Sequence, residues 1–319
     1  MVAYSGEPVA FADDAVRAYF GEAVATLPVG GFRAVFEAVA GRGGPAGSAA
    51  AVSEAVAGST AKTGAEAAAG KGAGATTAPV PVAAGVVPIE NVVNGTVREN
   101  YDLLLEHRLE IRGEVVVPVH LCLAALPGET IERVERVYSH VQALAQADTF
   151  LRTRPWTLLT TYNTAGAGKQ LVERGERRAA AVLSPRAASL FGLEVLADRI
   201  ESVADNRTRF LVVALPGTDL PAPRPAAVDG SGAARTTLVM GIRNEPGALL
   251  RALAVFAGHR LNLSKLESRP ARDRPWEYVF WVDLDADAAE PSTRAALAAL
   301  AEVTTSLRVL GSYPRAAGG

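Results

Sequence analysis

The chain opens with a short apolar run, Met1 to Tyr4, turns at Gly6 and Pro8, and then carries Ala15, Val16 and Tyr19 at helical spacing. This pattern predicts a strand followed by a helix over 11–20. Between 41 and 84 the sequence becomes Ala, Gly, Ser and Thr with almost no large apolar residue. Such a stretch cannot bury enough surface to offset its ordering entropy, and it reads as a disordered insertion. Periodicity resumes with a strand over 85–89 and a helix over 97–107, followed by a near-continuous β-branched run over 111–126 of the kind found in buried strands. Beyond it the pattern predicts strand 136–139, helix 142–152, strand 157–161, helix 165–174, strand 179–183, helix 185–191 and strand 208–214. Strands alternating with helices predict parallel sheets over 1–216, with ligands held beyond the carboxyl ends of the strands.

The stretch 217–234 is rich in Pro, Gly, Ala and Asp without periodicity and reads as a linker. A second pattern occupies 235–313: strand 237–242, helix 247–258, strands 262–267 and 277–283, helix 291–304 and strand 307–310. That βαββαβ order is the ferredoxin-like arrangement.

Composition narrows the function classes. With 49% hydrophobic and 21% charged residues over 319 positions, the chain can bury a sizeable core. A formal charge of -2, a pI near 6.2 and the lack of long Lys/Arg blocks give no electrostatic reason to bind nucleic acid or an anionic membrane, so a small metabolite is the expected partner. A single cysteine, Cys122, permits no internal disulfide and sits in an apolar run, as a buried small residue would. A reducing cytoplasm fits. No secretory leader or membrane span of about 20 residues is expected. The four histidines are scattered with no cluster at ligand spacing, so no metal is expected.

Several polar groups stand at the ends of predicted strands. Glu90-Asn91, followed by Gly95 and Thr96, could orient a substrate hydroxyl or form a turn with a helix cap. Tyr138-Ser139-His140, with the helix carrying Gln142 to Gln146, places a hydroxyl near a helix N-terminus that attracts carboxylates, although Ser139 could equally cap that helix. In Asn206-Arg207-Thr208-Arg209-Phe210, Arg209 could hold a carboxylate bidentately and Thr208 could protonate a departing hydroxyl; an arginine at a strand start can also simply face solvent. No Gly-x-Ser-x-Gly elbow exists, and the glycines of 41–84 lack the flanking strand and helix of a dinucleotide fingerprint. In the last region, Asn244-Glu245-Pro246-Gly247-Ala248-Leu249-Leu250 and Leu266-Glu267-Ser268-Arg269-Pro270 offer donors and acceptors suited to an amino-acid zwitterion, or serve as turns.

Taken in order, Gly85-Val86-Val87-Pro88-Ile89-Glu90-Asn91, Asn100-Tyr101-Asp102-Leu103-Leu104, Gly113-Glu114, Ser139-His140, Gln142-Ala143-Leu144, Thr164-Ala165-Gly166, Phe191-Gly192-Leu193 and Thr208-Arg209-Phe210 resemble the prephenate dehydratase family, which includes the arogenate dehydratases. Gly247-Ala248-Leu249 and Glu267-Ser268-Arg269-Pro270 resemble its C-terminal ACT domain. The resemblance implies an α/β catalytic region of two subdomains, like a type II periplasmic binding protein, with the active site between them. It implies conversion of prephenate to phenylpyruvate without a cofactor. By matching position, Thr208 would be the general acid, Arg209 would support a substrate carboxylate, and Glu90, Asn91, Ser139 and Gln146 would line the site, with Thr164, Ala165 and Phe210 contributing to substrate binding. Asn244, Pro246, Gly247, Ala248 and Leu249 together with Glu267, Ser268, Arg269 and Pro270 would bind L-phenylalanine between paired domains of a homodimer or homotetramer.

The chain departs from the family pattern at Val9 and Ala12, where a glycine and a hydroxyl are usual, and at Val92, Val141 and Asn163. Losing hydrogen-bond partners from a carboxylate pocket costs about 1–3 kcal/mol for each group left buried and unpaired. A diverged arogenate dehydratase, a non-aromatising prephenate decarboxylase and a non-catalytic phenylalanine sensor are therefore alternative readings.

Overall fold

A computed structural model describes residues 1–41, 81–271 and 278–318; the expected insertion over 41–84 lies mostly outside them. The first sheet begins with β1 (Val2–Ser5), β2 (Thr26–Val29), β3 (Ala84–Asn91), the short β4 (Gly95–Thr96) and β5 (Glu110–Pro118). The chain then leaves it to build a second sheet from β6 (Cys122–Ala125), β7 (Arg136–Ser139), β8 (Thr157–Thr160), β9 (Ala179–Leu183) and β10 (Glu194–Ala197), ordered β10-β6-β9-β7-β8. It returns as β11 (Arg207–Ala214), which enters the first sheet between β3 and β5 and runs antiparallel to both. Both sheets are therefore mixed rather than parallel: in the first the returning β11 opposes β3 and β5, and in the second β6 opposes β9 and β10. The run over 111–126 is shared between the sheets, dividing after Pro118, which cannot donate to a ladder.

Alternation along β11 explains its apolar composition. Phe210 and Val212 face α1 (Phe11–Phe20), packing with Tyr4, Val16, Tyr19 and Val86. Leu211 and Val213 face the other way, toward Val87, Ile89 and α2 (Phe32–Val39) and α3 (Arg98–Glu106). Neither β2 nor α2 was expected from the periodicity, and β10 was also missed; β2 and β10 are four-residue strands with no fully buried residue, whereas α2 buries Val35, Phe36 and Val39.

In the second subdomain the expected helix 142–152 is broken into α4 (Val141–Gln146) and α5 (Asp148–Leu151). The Gln146 carbonyl, which would continue the helix, accepts instead from the Ser202 amide at 2.7 Å. The following helix, α6 (Thr164–Arg174), starts where Asn163 Oδ1 accepts from the Gly166 amide and stops at Gly175 in the left-handed region. Ser184 caps α7 (Pro185–Leu190), with Pro185 in its first turn.

The C-terminal region consists of β12 (Ala234–Ile242), α8 (Ala248–Gly258), β13 (Leu263–Pro270), β14 (Tyr278–Leu284), α9 (Pro291–Val303) and β15 (Ser306–Pro314). Its antiparallel sheet is ordered β13-β14-β12-β15, the ferredoxin-like order expected. The two helices cover one face. The opposite face lies on the first sheet, where Val239, Trp281, Leu310 and Tyr313 join the same core as Leu211 and Val213. Trp281 meets Tyr101 edge to face at 4.6 Å. The approach is close enough that a Cβ on Gly311 would lie 2.1 Å from the Ile111 carbonyl oxygen. The stretch expected as a linker is packed as well: Ala227 is buried against the first core, and Arg224 donates its amide to the Tyr19 carbonyl at 2.9 Å.

Candidate functional site

Two crossings join the subdomains, one after β5 and one before β11, and they are tied together by Val119 N–H to Asn206 O at 2.8 Å and Ile200 N–H to Leu121 O at 2.9 Å. Glu201 reinforces the junction by accepting from the Leu121 amide at 3.0 Å. Beside this junction β3 ends and β11 begins, which brings Asn91 opposite Thr208. Asn91 Oδ1 accepts from the Val93 and Asn94 amides at 3.0 and 2.8 Å, fixing which end of the amide is oxygen. Asn91 Nδ2 must then donate, and its acceptors are Asn206 Oδ1 at 2.8 Å, the Arg207 carbonyl at 3.0 Å and Thr208 Oγ1 at 3.0 Å. A donor on Oγ1 leaves the hydroxyl proton free to point elsewhere and favours the oxygen when it carries negative charge.

The loop after β1 crosses from the first subdomain to the second. Glu7 accepts from the Tyr162 hydroxyl at 3.2 Å and lies 3.9 Å from Lys169. Val9 packs against Cys122, Tyr138 and Ala165 in the second subdomain's core, although its φ of 60° places a β-branched residue in the left-handed region. Asp13 and Asp14 of α1 pair with Arg186 of α7 across the same boundary.

Of the other residues expected at the site, Gln146 and Thr164 are half-buried at helix termini of the second subdomain. Three face the interior instead. Ser139 is fully buried and donates its hydroxyl to the Val182 carbonyl at 2.6 Å; the capping group for α4 is His140 Nδ1, which accepts from the Gln142 amide at 3.3 Å. Burial lowers the His140 pKa. Ala165 packs in the second core and Phe210 in the first, so both contribute packing rather than a side chain at the surface of the cleft. Cys122 is buried as expected, and burial pushes its thiol up to about 12.

Arg209 is directed at β5 and the C-terminal sheet. Its Nε donates to Glu114 at 2.6 Å, Nη1 to Asp283 at 2.7 Å and Nη2 to the Tyr313 hydroxyl at 3.2 Å. Glu90, 4.0 Å from Arg209, pairs with Lys265 of β13 at 3.0 Å. Burial alone would lower the Arg209 pKa, but Tyr313, Asp283 and Glu114 outweigh it and hold the guanidinium well above its ordinary range.

The C-terminal candidates divide similarly. Asn244, Pro246 and Gly247 are exposed before α8, with Gly247 at a φ of 80° that favours glycine. Ala248 is buried and Leu249 partly so. Along β13, Glu267 accepts from Thr96 Oγ1 at 2.7 Å and Arg269 donates to Asp102 at 3.0 Å, so both face the first subdomain, whereas Ser268 and Pro270 face outward.

Sequence reasoning did not assign a role to Glu114, Asp283, Arg235, Tyr313 or Asn206. The signal for Glu114 was present: a lone carboxylate inside the apolar run 111–117 needs a buried partner. Its partners lie more than 90 residues away, so pattern alone could not name them.

No helix among the described residues is long and apolar enough to cross a membrane, and no metal-binding cluster occurs among them.

Comparison with known proteins agrees with this architecture. The prephenate dehydratase family model matches residues 48–217, and the ACT domain model matches 236–302. The chain is 42% identical over 243 residues to arogenate dehydratase/prephenate dehydratase 2 of Arabidopsis thaliana, and 42% identical over 234 residues to the bifunctional chorismate mutase/prephenate dehydratase of Aquifex aeolicus. Each alignment covers 73% of this chain and 61% of the relative, so the chain spans under two thirds of those proteins' length. Among solved structures it is similar to the prephenate dehydratase of Arthrobacter aurescens in complex with L-Phe, at 28% identity and a TM-score of 0.77, covering 98% of this chain and 90% of that one. It is also similar to GqqA, described as a novel type of quorum quenching acylase, at 28% identity and a TM-score of 0.75, covering 98% and 97%. The two-sheet region with its returning strand, the ferredoxin-like C-terminal sheet and both family models agree: the chain belongs to the prephenate dehydratase family.

Proposed function

We propose that this protein converts prephenate to phenylpyruvate, water and carbon dioxide. The observation that carries the reading is the Asn91 amide donating to Thr208 Oγ1 at 3.0 Å where β3 and β11 meet beside the junction of the two subdomains. In this reaction the ring carboxylate leaves as carbon dioxide and its electron pair enters the ring, expelling the ring hydroxyl. Thr208 gives that oxygen a proton so that it departs as water, and recovers a proton from solvent. The hydrogen bond from Asn91 stabilises the threonine oxygen as it loses its proton. Aromatisation supplies the driving force, so the protein mainly orients the substrate and protonates the leaving group, and the scheme calls on no cofactor.

The ferredoxin-like C-terminal sheet and the L-Phe complex of the Arthrobacter aurescens relative support phenylalanine as a feedback ligand; on this reading it binds between paired C-terminal domains of a cytoplasmic homo-oligomer. The same overall fold is found in a protein described as an acylase. Acyl transfer requires an accessible activated nucleophile. Here the Cys122 thiol and Ser139 hydroxyl are both buried, so neither is placed to serve as one.

Incubating the purified protein with prephenate and, separately, arogenate, and identifying products by mass, tests this. Phenylpyruvate from prephenate is the expected result. A non-aromatic acid, or phenylalanine from arogenate alone, would replace the substrate or the outcome, and no product from either would overturn the reading.

A further inference from the structure

Thr208 and Arg209 are successive residues of one strand, so their side chains stand on opposite faces of the sheet. Between Arg209 and Phe210 the pairing with β3 shifts register by one residue. The extra residue of this bulge, Ile89, lies on β3, while β11 stays in regular register with β5 from Arg207 to Val212, so it is on the β3 side that side-chain anchors add to the ladder's hold on β11. Arg209 is such an anchor. Its guanidinium reaches Glu114 on β5, Asp283 on β14 and Tyr313 on β15.

The cluster around it is largely buried and ionic. Glu114 also accepts from Arg235 at 2.8 Å and from the Ala316 amide at 2.9 Å. Asp283 accepts from Thr237 Oγ1 at 2.6 Å. Glu114 and Asp283 thus face the guanidinium groups of Arg209 and Arg235 where Glu114, Arg235, Thr237 and Asp283 are all buried, and Asp285 lies 3.8 Å from Arg235 at the edge. The carboxylate next nearest to Arg209 is Glu90 at 4.0 Å, adjacent in sequence to the Asn91 that contacts Thr208.

We propose that Asp283 of the C-terminal sheet is a positioning residue for the active site: through Arg209 it fixes the rotation of β11 and therefore the direction of the Thr208 hydroxyl. The inference rests on the dehydratase reading for its kinetic consequence, and on the cluster alone for its structural one. Without the Asp283 charge Arg209 loses one of its two close carboxylate partners and turns toward Glu90. The C-terminal sheet is by this account part of the catalytic strand's support, and any ligand that moves β14 relative to β11 moves Thr208.

The test uses the full chain with Asp283→Asn, which keeps size and shape but removes the charge, and with Thr237→Val, which removes the hydroxyl that donates to Asp283 and also contacts the Tyr313 hydroxyl. Hydrogen exchange is read over 207–214 and over 179–183, and kcat and KM are measured with prephenate. In Asp283→Asn, exchange over 207–214 is expected to rise about tenfold while 179–183 is unchanged, and kcat to fall about tenfold with KM within about twofold. Thr237→Val is expected to shift both in the same direction by less, and Asp283→Glu to recover much of kcat. Exchange over 207–214 equal to that of the parent, or an unchanged kcat, would overturn the proposal. A parent protein that does not turn prephenate over would sink the dehydratase reading instead, leaving the exchange measurement to decide the positioning.

Discussion

The two faces of β11 are organised by different interactions. On the Thr208 side the hydroxyl is placed by neutral amides, Asn91 and Asn206, close to the joint between subdomains. On the Arg209 side two carboxylates and two guanidinium groups are enclosed between the first sheet and the C-terminal sheet. Neutral hydrogen bonds contribute about 0.5–1.5 kcal/mol each and can be exchanged as a substrate binds. A buried ionic cluster is far costlier to disrupt, because each partner left behind is an uncompensated charge. The difference assigns adjustable chemistry to one face of the strand and fixed support to the other.

The largest expected effect comes from breaking the ionic side. Glu114→Ala leaves Arg209 and Arg235 facing each other without their shared carboxylate, and urea unfolding should show a loss of about 3–5 kcal/mol. Breaking the neutral side should instead register in rate. Asn91→Ala removes the donor to Thr208 Oγ1, and kcat is expected to fall by about 10²–10³-fold, the range found when a donor to a developing oxyanion is removed. If Glu114→Ala cost little stability, or Asn91→Ala little rate, the contrast between the faces would disappear.

A smaller effect concerns the loop that reaches across the cleft. Val9 is buried yet holds a left-handed backbone, so Val9→Gly should be more stable than Val9→Ala by about 1–2 kcal/mol in paired urea titrations, despite removing one more carbon. The smallest concerns His140, whose Nδ1 must stay unprotonated to cap α4. Burial lowers its folded-state pKa below the ordinary 6.5, so its stabilising contribution is complete above that value and is lost as pH falls through the lowered one. Thermal melts at pH 7 and 5 should show a larger drop for the parent than for His140→Asn, whose amide can cap without titrating.

Much of this arrangement was readable in the sequence. The βαββαβ order of the C-terminal region, the strand ends carrying Asn91 and Thr208, and the burial of Cys122 all follow from periodicity and local polarity. The family motifs pointed to Thr208 as the proton donor, the role the proposed reaction gives it. Side-chain direction was less readable. Ser139 and Phe210 belong to family motifs, yet the Ser139 hydroxyl is satisfied by the Val182 carbonyl and Phe210 fills the core against α1. Arg209 sits one residue from Thr208, and strand alternation alone puts it on the opposite face. What lies on that face, Asp283 and Tyr313, is brought there by a domain whose docking has no local signature in the chain. Even the helix expected over 142–152 fails for a distant reason, the Ser202 amide that takes the Gln146 carbonyl.

The most direct test of the central claim, that the Thr208 hydroxyl held by Asn91 is the proton donor, is the rate of phenylpyruvate formation by Thr208→Ala beside Thr208→Ser. The alanine variant is expected to lose about 10²–10⁴-fold in kcat, the usual contribution of a positioned general acid, while the serine variant retains most of the activity. An alanine variant that forms phenylpyruvate at close to the parent rate would contradict the claim.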